Sequence, residues 1–95
     1  MTYSLEFRDS AWKEWQNLDR LLREQFKTKL LERLANPRVE SARLSVLPDC
    51  YKIKLRAAGY RLVYQVFDDR VVVVVVAVGK REDSAAYRKA GKRLK

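Results

Sequence analysis

The chain has 95 residues, 47% hydrophobic and 35% charged, with 21 Lys and Arg against 12 Asp and Glu for a formal charge of +9. That describes one small domain, residues 1–95, with a single core under a heavily charged surface, and excludes a disordered chain or a second domain. The sequence contains no histidine and one cysteine, Cys50, which excludes a His-based acid–base pair, a Ser-His-Asp triad, a His-containing metal site and an internal disulfide framework.

Thr2–Phe7 alternates Tyr3, Leu5 and Phe7 with polar neighbours, which predicts a first strand. A helix follows, with Asp9 or Ser10 as N-cap and Ala11, Trp12, Trp15 and Leu18 as its apolar stripe; both tryptophans read as packing residues. Asp19 caps a longer helix with the face Leu22, Phe26, Leu30 and Leu34, widened by Leu21 and Leu31. Asn36-Pro37 ends it, because the residue before proline is pushed out of helical conformation. Residues 38–48 carry little regular signal.

Three strands are predicted next, Cys50–Arg56, Tyr60–Phe67 and Arg70–Val78, joined by short turns at Ala57-Ala58-Gly59 and Asp68-Asp69. Cys50 reads as a small apolar residue at a strand entrance, since nothing is present to activate it as a nucleophile. The valine run Val71–Val76 lacks alternation, so both its faces need cover and the strand belongs in the centre of a sheet. It is too short to span a bilayer, and the chain shows no signal-peptide pattern, so a cytoplasmic protein is expected. After Gly79 comes a basic terminal helix over Ser84–Lys95, capped by Asp83 or Ser84. Its apolar stripe of Ala85, Ala86, Tyr87, Ala90 and Leu94 is thin, which predicts weak docking. The fold class is α+β, in the order β-α-α-β-β-β-α, with the first two helices on one sheet face.

The positive charge is concentrated in the second half. Residues 1–48 carry 9 basic and 7 acidic side chains, residues 49–95 carry 12 and 5. With a two-residue turn at Ala58-Gly59, Arg56 faces Arg61 and Lys54 faces Val63. Lys52, Lys54 and Arg56 then share a face with Arg61, while Tyr51, Ile53 and Leu55 join Leu62, Tyr64 and Val66 on the core face. Arg81 follows the valine strand, and Tyr87 lies in the first turn of the last helix, where amide groups also favour anions. A solvated strand face accounts for alternating lysines by itself. The uneven charge argues further for a polyanionic partner, nucleic acid or an acidic protein.

The segments "REQ" (Arg23–Gln25), "PDCYKIKLR" (Pro48–Arg56), "GYRLVYQV" (Gly59–Val66) and "VGKRE" (Val78–Glu82), with the helix carrying Trp12 and Trp15, are similar to those of the RelE toxins of bacterial toxin–antitoxin pairs. The resemblance runs nearly end to end. It implies a microbial-RNase-like fold with a mostly antiparallel four-stranded sheet, and a ribosome-dependent mRNA endonuclease without a cofactor or metal. Its catalytic set falls on Lys52, Lys54, Arg61, Arg81 and Tyr87, with Arg56, Lys80, Arg88 and Lys89 as further contacts to RNA or the ribosome. The implied partners are a RelB-like antitoxin, mRNA and the rRNA of the ribosomal A site, with operator DNA reached only through the antitoxin complex. A ParE-like toxin directed at gyrase and a non-catalytic nucleic-acid-binding module are the alternatives. Cleavage would proceed by attack of the RNA 2′-hydroxyl on its own phosphate, with Lys54 or Tyr87 as base. Repulsion among the cations is expected to lower a lysine's pKa, and their field to lower that of Tyr87.

Overall fold

The computed structural model describes residues 2–80 and 85–94. Its elements are β1 (Ser4–Phe7), α1 (Asp9–Gln16), α2 (Arg20–Ala35), a 3₁₀ turn at Glu40–Ala42, β2 (Cys50–Leu55), β3 (Tyr60–Phe67), β4 (Val72–Lys80) and α3 (Ala85–Arg93). The sheet order is β1-β4-β3-β2, so the valine strand is central, as its two apolar faces require. β1 runs parallel to β4 and the other pairs are antiparallel, making the sheet mixed. The parallel pair arises because the chain leaves β1 through both helices before it returns to the sheet.

Two apolar layers flank the sheet. On one face, Ala11 of α1, Leu18 in the turn between the helices, and Phe26, Leu30 and Leu34 of α2 cover Ile53, Leu62, Tyr64, Val73 and Val75. On the other, Ala86 and Ala90 of α3 cover Val63, Val76 and Ala77, beside Cys50. Alternation along β4 serves both layers, and a bulge where the β3–β4 register shifts between Val63 and Tyr64 sets two adjacent residues, Val76 and Ala77, on the α3 side. Gly79 lets α3 come close: a Cβ there would stand 2.9 Å from the Ala85 Cβ and from the Ala86 amide nitrogen.

Of the local readings, the Asp19 cap holds and several others shift. Asp19 caps α2, accepting a hydrogen bond from the Leu22 amide at 2.9 Å. Arg8 holds the corresponding place before α1, with Asp9 already in its first turn, where a carboxylate suits the helix dipole without a side-chain cap. Leu21 and Leu31 do not widen the buried stripe. They are 64% and 56% exposed, because the apolar contact of α2 with the core runs along Leu22, Phe26, Leu30 and Leu34. Trp15 packs on Phe7 and Phe26, whereas Trp12 is 46% exposed and meets only the edge of Phe7's ring cluster. The weak connector is held by polar contacts: Arg38 pairs with Asp68 at 2.7 Å and Asp49 at 3.1 Å, and Tyr3 donates to Asp68 at 2.6 Å. The proposed caps of the last helix, Asp83 and Ser84, lie outside the described residues.

Candidate functional site

Alternation along β2 sends Lys52 and Lys54 to the face opposite the main core, each half-buried between buried neighbours. The first hairpin closes two residues earlier than a two-residue turn would allow. Leu55 pairs with Tyr60, Lys54 with Arg61 and Lys52 with Val63, leaving residues 56–59 in the loop, with Gly59 at φ +71°. A shift of two preserves face parity, so the cationic face survives the wrong register. Lys54 lies directly across from Arg61, and Arg61 across from Gly79, which forms one row from the sheet edge to the foot of α3.

Tyr87 closes that row. The Arg61 guanidinium sits 4.9 Å from the centroid of the Tyr87 ring, a cation–π contact between β3 and α3. Arg61 Nε and Tyr87 Oη are both buried, and neither has a hydrogen-bond partner among the described residues. Buried polar atoms are seldom left so, and a guanidinium with a phenol suits the oxygens of a phosphodiester. Burial pushes the Tyr87 phenol above its ordinary value, and Arg61 only partly draws it back. The expected lowering is therefore reversed: desolvation of the phenolate outweighs the single guanidinium facing it.

Lys54 and Arg61 line a cleft of about 210 Å³ with Leu55, Arg56 and Tyr60. Further along β2, Lys52, Lys54 and Arg56 line a groove with Ser41 and Arg33, a cation that the sequence pattern did not single out. Arg33 donates to the Lys52 carbonyl at 3.1 Å and the Tyr64 hydroxyl at 2.9 Å, while that hydroxyl donates to the Pro37 carbonyl at 2.6 Å. Lys80 is exposed at the end of β4 and Arg88 is exposed on α3. Lys89 points elsewhere, into an ion pair with Glu14. Arg81 lies outside the described residues. The structure thus joins Lys52, Lys54, Arg56, Arg61 and Tyr87, and separates Lys89 from them.

Glu14 was not recognisable as part of this region. β1 pairs with β4 only as far as Val75, so the outer edge of Val76–Lys80 lacks a strand there. Glu14 accepts a hydrogen bond from the Val78 amide at 3.1 Å and pairs with Arg93 at 2.9 Å. Arg93 also donates to the Val76 carbonyl at 2.8 Å, and Lys89 to that of Val78 at 3.4 Å. Side chains from α1 and α3 therefore satisfy an edge that would otherwise be open. Burial raises the Glu14 carboxyl, but the bonds from Arg93, Lys89 and Val78 more than offset it and hold the group below its ordinary value. Among the described residues, no group of three or more His, Cys, Asp or Glu could hold a metal.

The model of the family described as "ParE toxin of type II toxin-antitoxin system, parDE" matches residues 5–85. The mRNA interferase toxin RelE of Escherichia coli (strain K12) is 56% identical over 94 residues, covering 99% of each chain. A solved structure of an E. coli RelE arginine double mutant in the free state covers 100% of both chains at 55% identity, with a TM-score of 0.92. The toxin in the intact E. coli RelBE toxin–antitoxin complex aligns at 57% identity over 84% of this chain and 98% of that one, with a TM-score of 0.81.

Proposed function

Since the chain belongs to the RelE/ParE family of toxins from type II toxin–antitoxin systems, we propose that it is the toxin of such a pair, a ribosome-dependent mRNA endonuclease of the bacterial cytoplasm. Full-length identity of 56% to an mRNA interferase supports this reading. The observation that carries the chemistry is the row in which Lys54 faces Arg61 and Arg61 lies on Tyr87. Its partners are mRNA in the A site, the surrounding rRNA, and a RelB-like antitoxin of the kind seen in the RelBE complex. Operator DNA is reached through the antitoxin complex, in which the pair represses its own operon.

In the proposed reaction the 2′-oxygen gives its proton to a base and bonds to the adjacent phosphorus. The 5′-oxygen then leaves and takes up a proton. Negative charge grows on the phosphorane-like transition state, where Lys52, Lys54, Arg61 and Arg81 offset it. With the Tyr87 phenol raised by burial, Lys54 is the better base and Tyr87 a platform for the substrate. Arg81, a poor acid, neutralises the leaving oxygen. Arg56, Lys80 and Arg88 hold flanking phosphates, and Lys89 contributes less because Glu14 engages it.

Products should carry a 2′,3′-cyclic phosphate and a 5′-hydroxyl when programmed ribosomes are incubated with the protein. Mapping the ends by their susceptibility to polynucleotide kinase and phosphatase checks this, and a 5′-phosphate would refute the mechanism. The ParE description of the matching family favours a second reading, action on gyrase. Intact mRNA together with inhibited DNA supercoiling would support that one instead.

Tyr87→Phe keeps the ring on Arg61 and removes the hydroxyl. As a platform residue, Tyr87 should tolerate this within about tenfold in single-turnover rate, whereas loss of a general base costs roughly 10²–10⁴-fold. A loss in that larger range would make Tyr87 the base and displace Lys54 from the role.

A further inference from the structure

We propose that Glu14 is a positioning residue for cleavage, which holds α3 against rotation and so keeps Tyr87 on Arg61. The inference rests on the reading of Tyr87 as part of the cleavage site. At about 100° per residue, Ala86 and Ala90 lie along the middle of the buried side of α3, with Tyr87 on one flank and Lys89 and Arg93 on the other. The contacts agree with that wheel. Ala86 and Ala90 are fully buried on the sheet, Tyr87 meets Arg61, and Lys89 and Arg93 meet Glu14. Methyl groups bearing on Val63, Val76 and Ala77 give depth but little resistance to rolling. Resistance comes from the two flanks.

On the Glu14 flank the attachment is rigid. The carboxylate side chain is 18% exposed and meets both Arg93 nitrogens, at 2.9 and 3.2 Å, in a bidentate pair. One of those nitrogens also binds the Val76 carbonyl, and Glu14 itself binds the Val78 amide, so helix, carboxylate and strand form one closed set. On the Tyr87 flank the ring lies against Arg61, a contact whose energy depends on geometry, and Tyr87 and Leu94 add partly buried apolar contact with the layer of Val63, Val76 and Ala77, which has no directional bond to fix it. Releasing Glu14 therefore lets α3 roll on its alanines and moves Tyr87 out of register, although Glu14 lies on the opposite side of the helix from the reacting groups.

Glu14→Gln retains an acceptor for the Val78 amide and removes the charge that holds Lys89 and Arg93; Arg93→Gln opens the same pair from the helix side. In single-turnover cleavage with saturating programmed ribosomes and the full chain, each substitution is expected to lower the rate by about ten- to a hundredfold. The half-saturating concentration should stay unchanged. In a Tyr87→Ala background, Glu14→Gln should cost nothing further, because the side chain it positions is gone. Amide exchange in β3 and β4 at the wild-type level shows that the sheet is intact in both variants. Wild-type rates in both variants, or a Glu14 loss that multiplies with that of Tyr87→Ala, would overturn the proposal while leaving the endonuclease reading in place. A wild-type protein that leaves mRNA intact overturns the reading itself.

Discussion

Arg61→Ala should slow single-turnover cleavage by about a hundred- to a thousandfold, roughly 2.7–4 kcal/mol, the scale of removing one transition-state donor. The guanidinium stands in the row with Lys54, presents a buried Nε to the site, and supports the Tyr87 ring. Removing it takes away a charge whose partner develops mainly in the transition state, so the rate at saturation should fall more than affinity. Lysine is a poor substitute here: an ammonium offers no planar face to the ring and no fork for two phosphate oxygens. Arg61→Lys should therefore recover only part of the loss. Ribosome binding measured beside the single-turnover rate decides the role. An unchanged rate with weakened binding would reassign Arg61 to holding the substrate's phosphates.

Phe26→Ala should destabilise the fold by about 3–5 kcal/mol in equilibrium denaturant unfolding. Phe26 is fully buried on α2, with its ring centroid 6.3 Å from that of Trp15, in the layer that covers β2, β3 and β4. Deleting it leaves a cavity that α2 cannot close without giving up Leu30 and Leu34. A domain of this size is stable by about 5–15 kcal/mol, so the change takes a large share. The functional consequence runs through Arg33, about two turns further along the same helix, which binds the carbonyl of Lys52. Leu31→Ala is the matched control. Its side chain is 56% exposed, and a surface change of this kind stays within about 0.5 kcal/mol. A loss below about 1 kcal/mol for Phe26→Ala would show that the buried row of α2 is not the core.

Much of this was legible in short-range pattern. Alternation placed Lys52 and Lys54 on one face and Tyr51, Ile53 and Leu55 on the other. That assignment withstood a pairing error of two residues because side chains repeat every two. The unbroken valine run identified a strand needing cover on both faces, and Asp19 marked the start of α2. Leu21 and Leu31 misled for a physical reason: an apolar residue beside a buried stripe is buried only if a neighbour reaches it, and none does. The lysine row and the tyrosine of the last helix were recognisable as residue types, and their family resemblance named the same set, but not how they meet.

By itself, then, the sequence determined which residues face together along β2 and in the buried row of α2, since that follows from backbone periodicity, whereas the bulge that sets Val76 and Ala77 on one face came only with strand pairing. It also determined the cationic character of the second half. Only the tertiary structure decided the contacts between elements distant in the chain. The bond from Arg93 to Glu14 spans 79 positions, β1 lies parallel to the central strand, and Tyr87 packs on Arg61. It also decided the direction in which the Tyr87 phenol shifts. Neighbouring charge predicts a lowering, but burial is a property of the packed molecule, and here the cost of desolvating a phenolate is the larger effect.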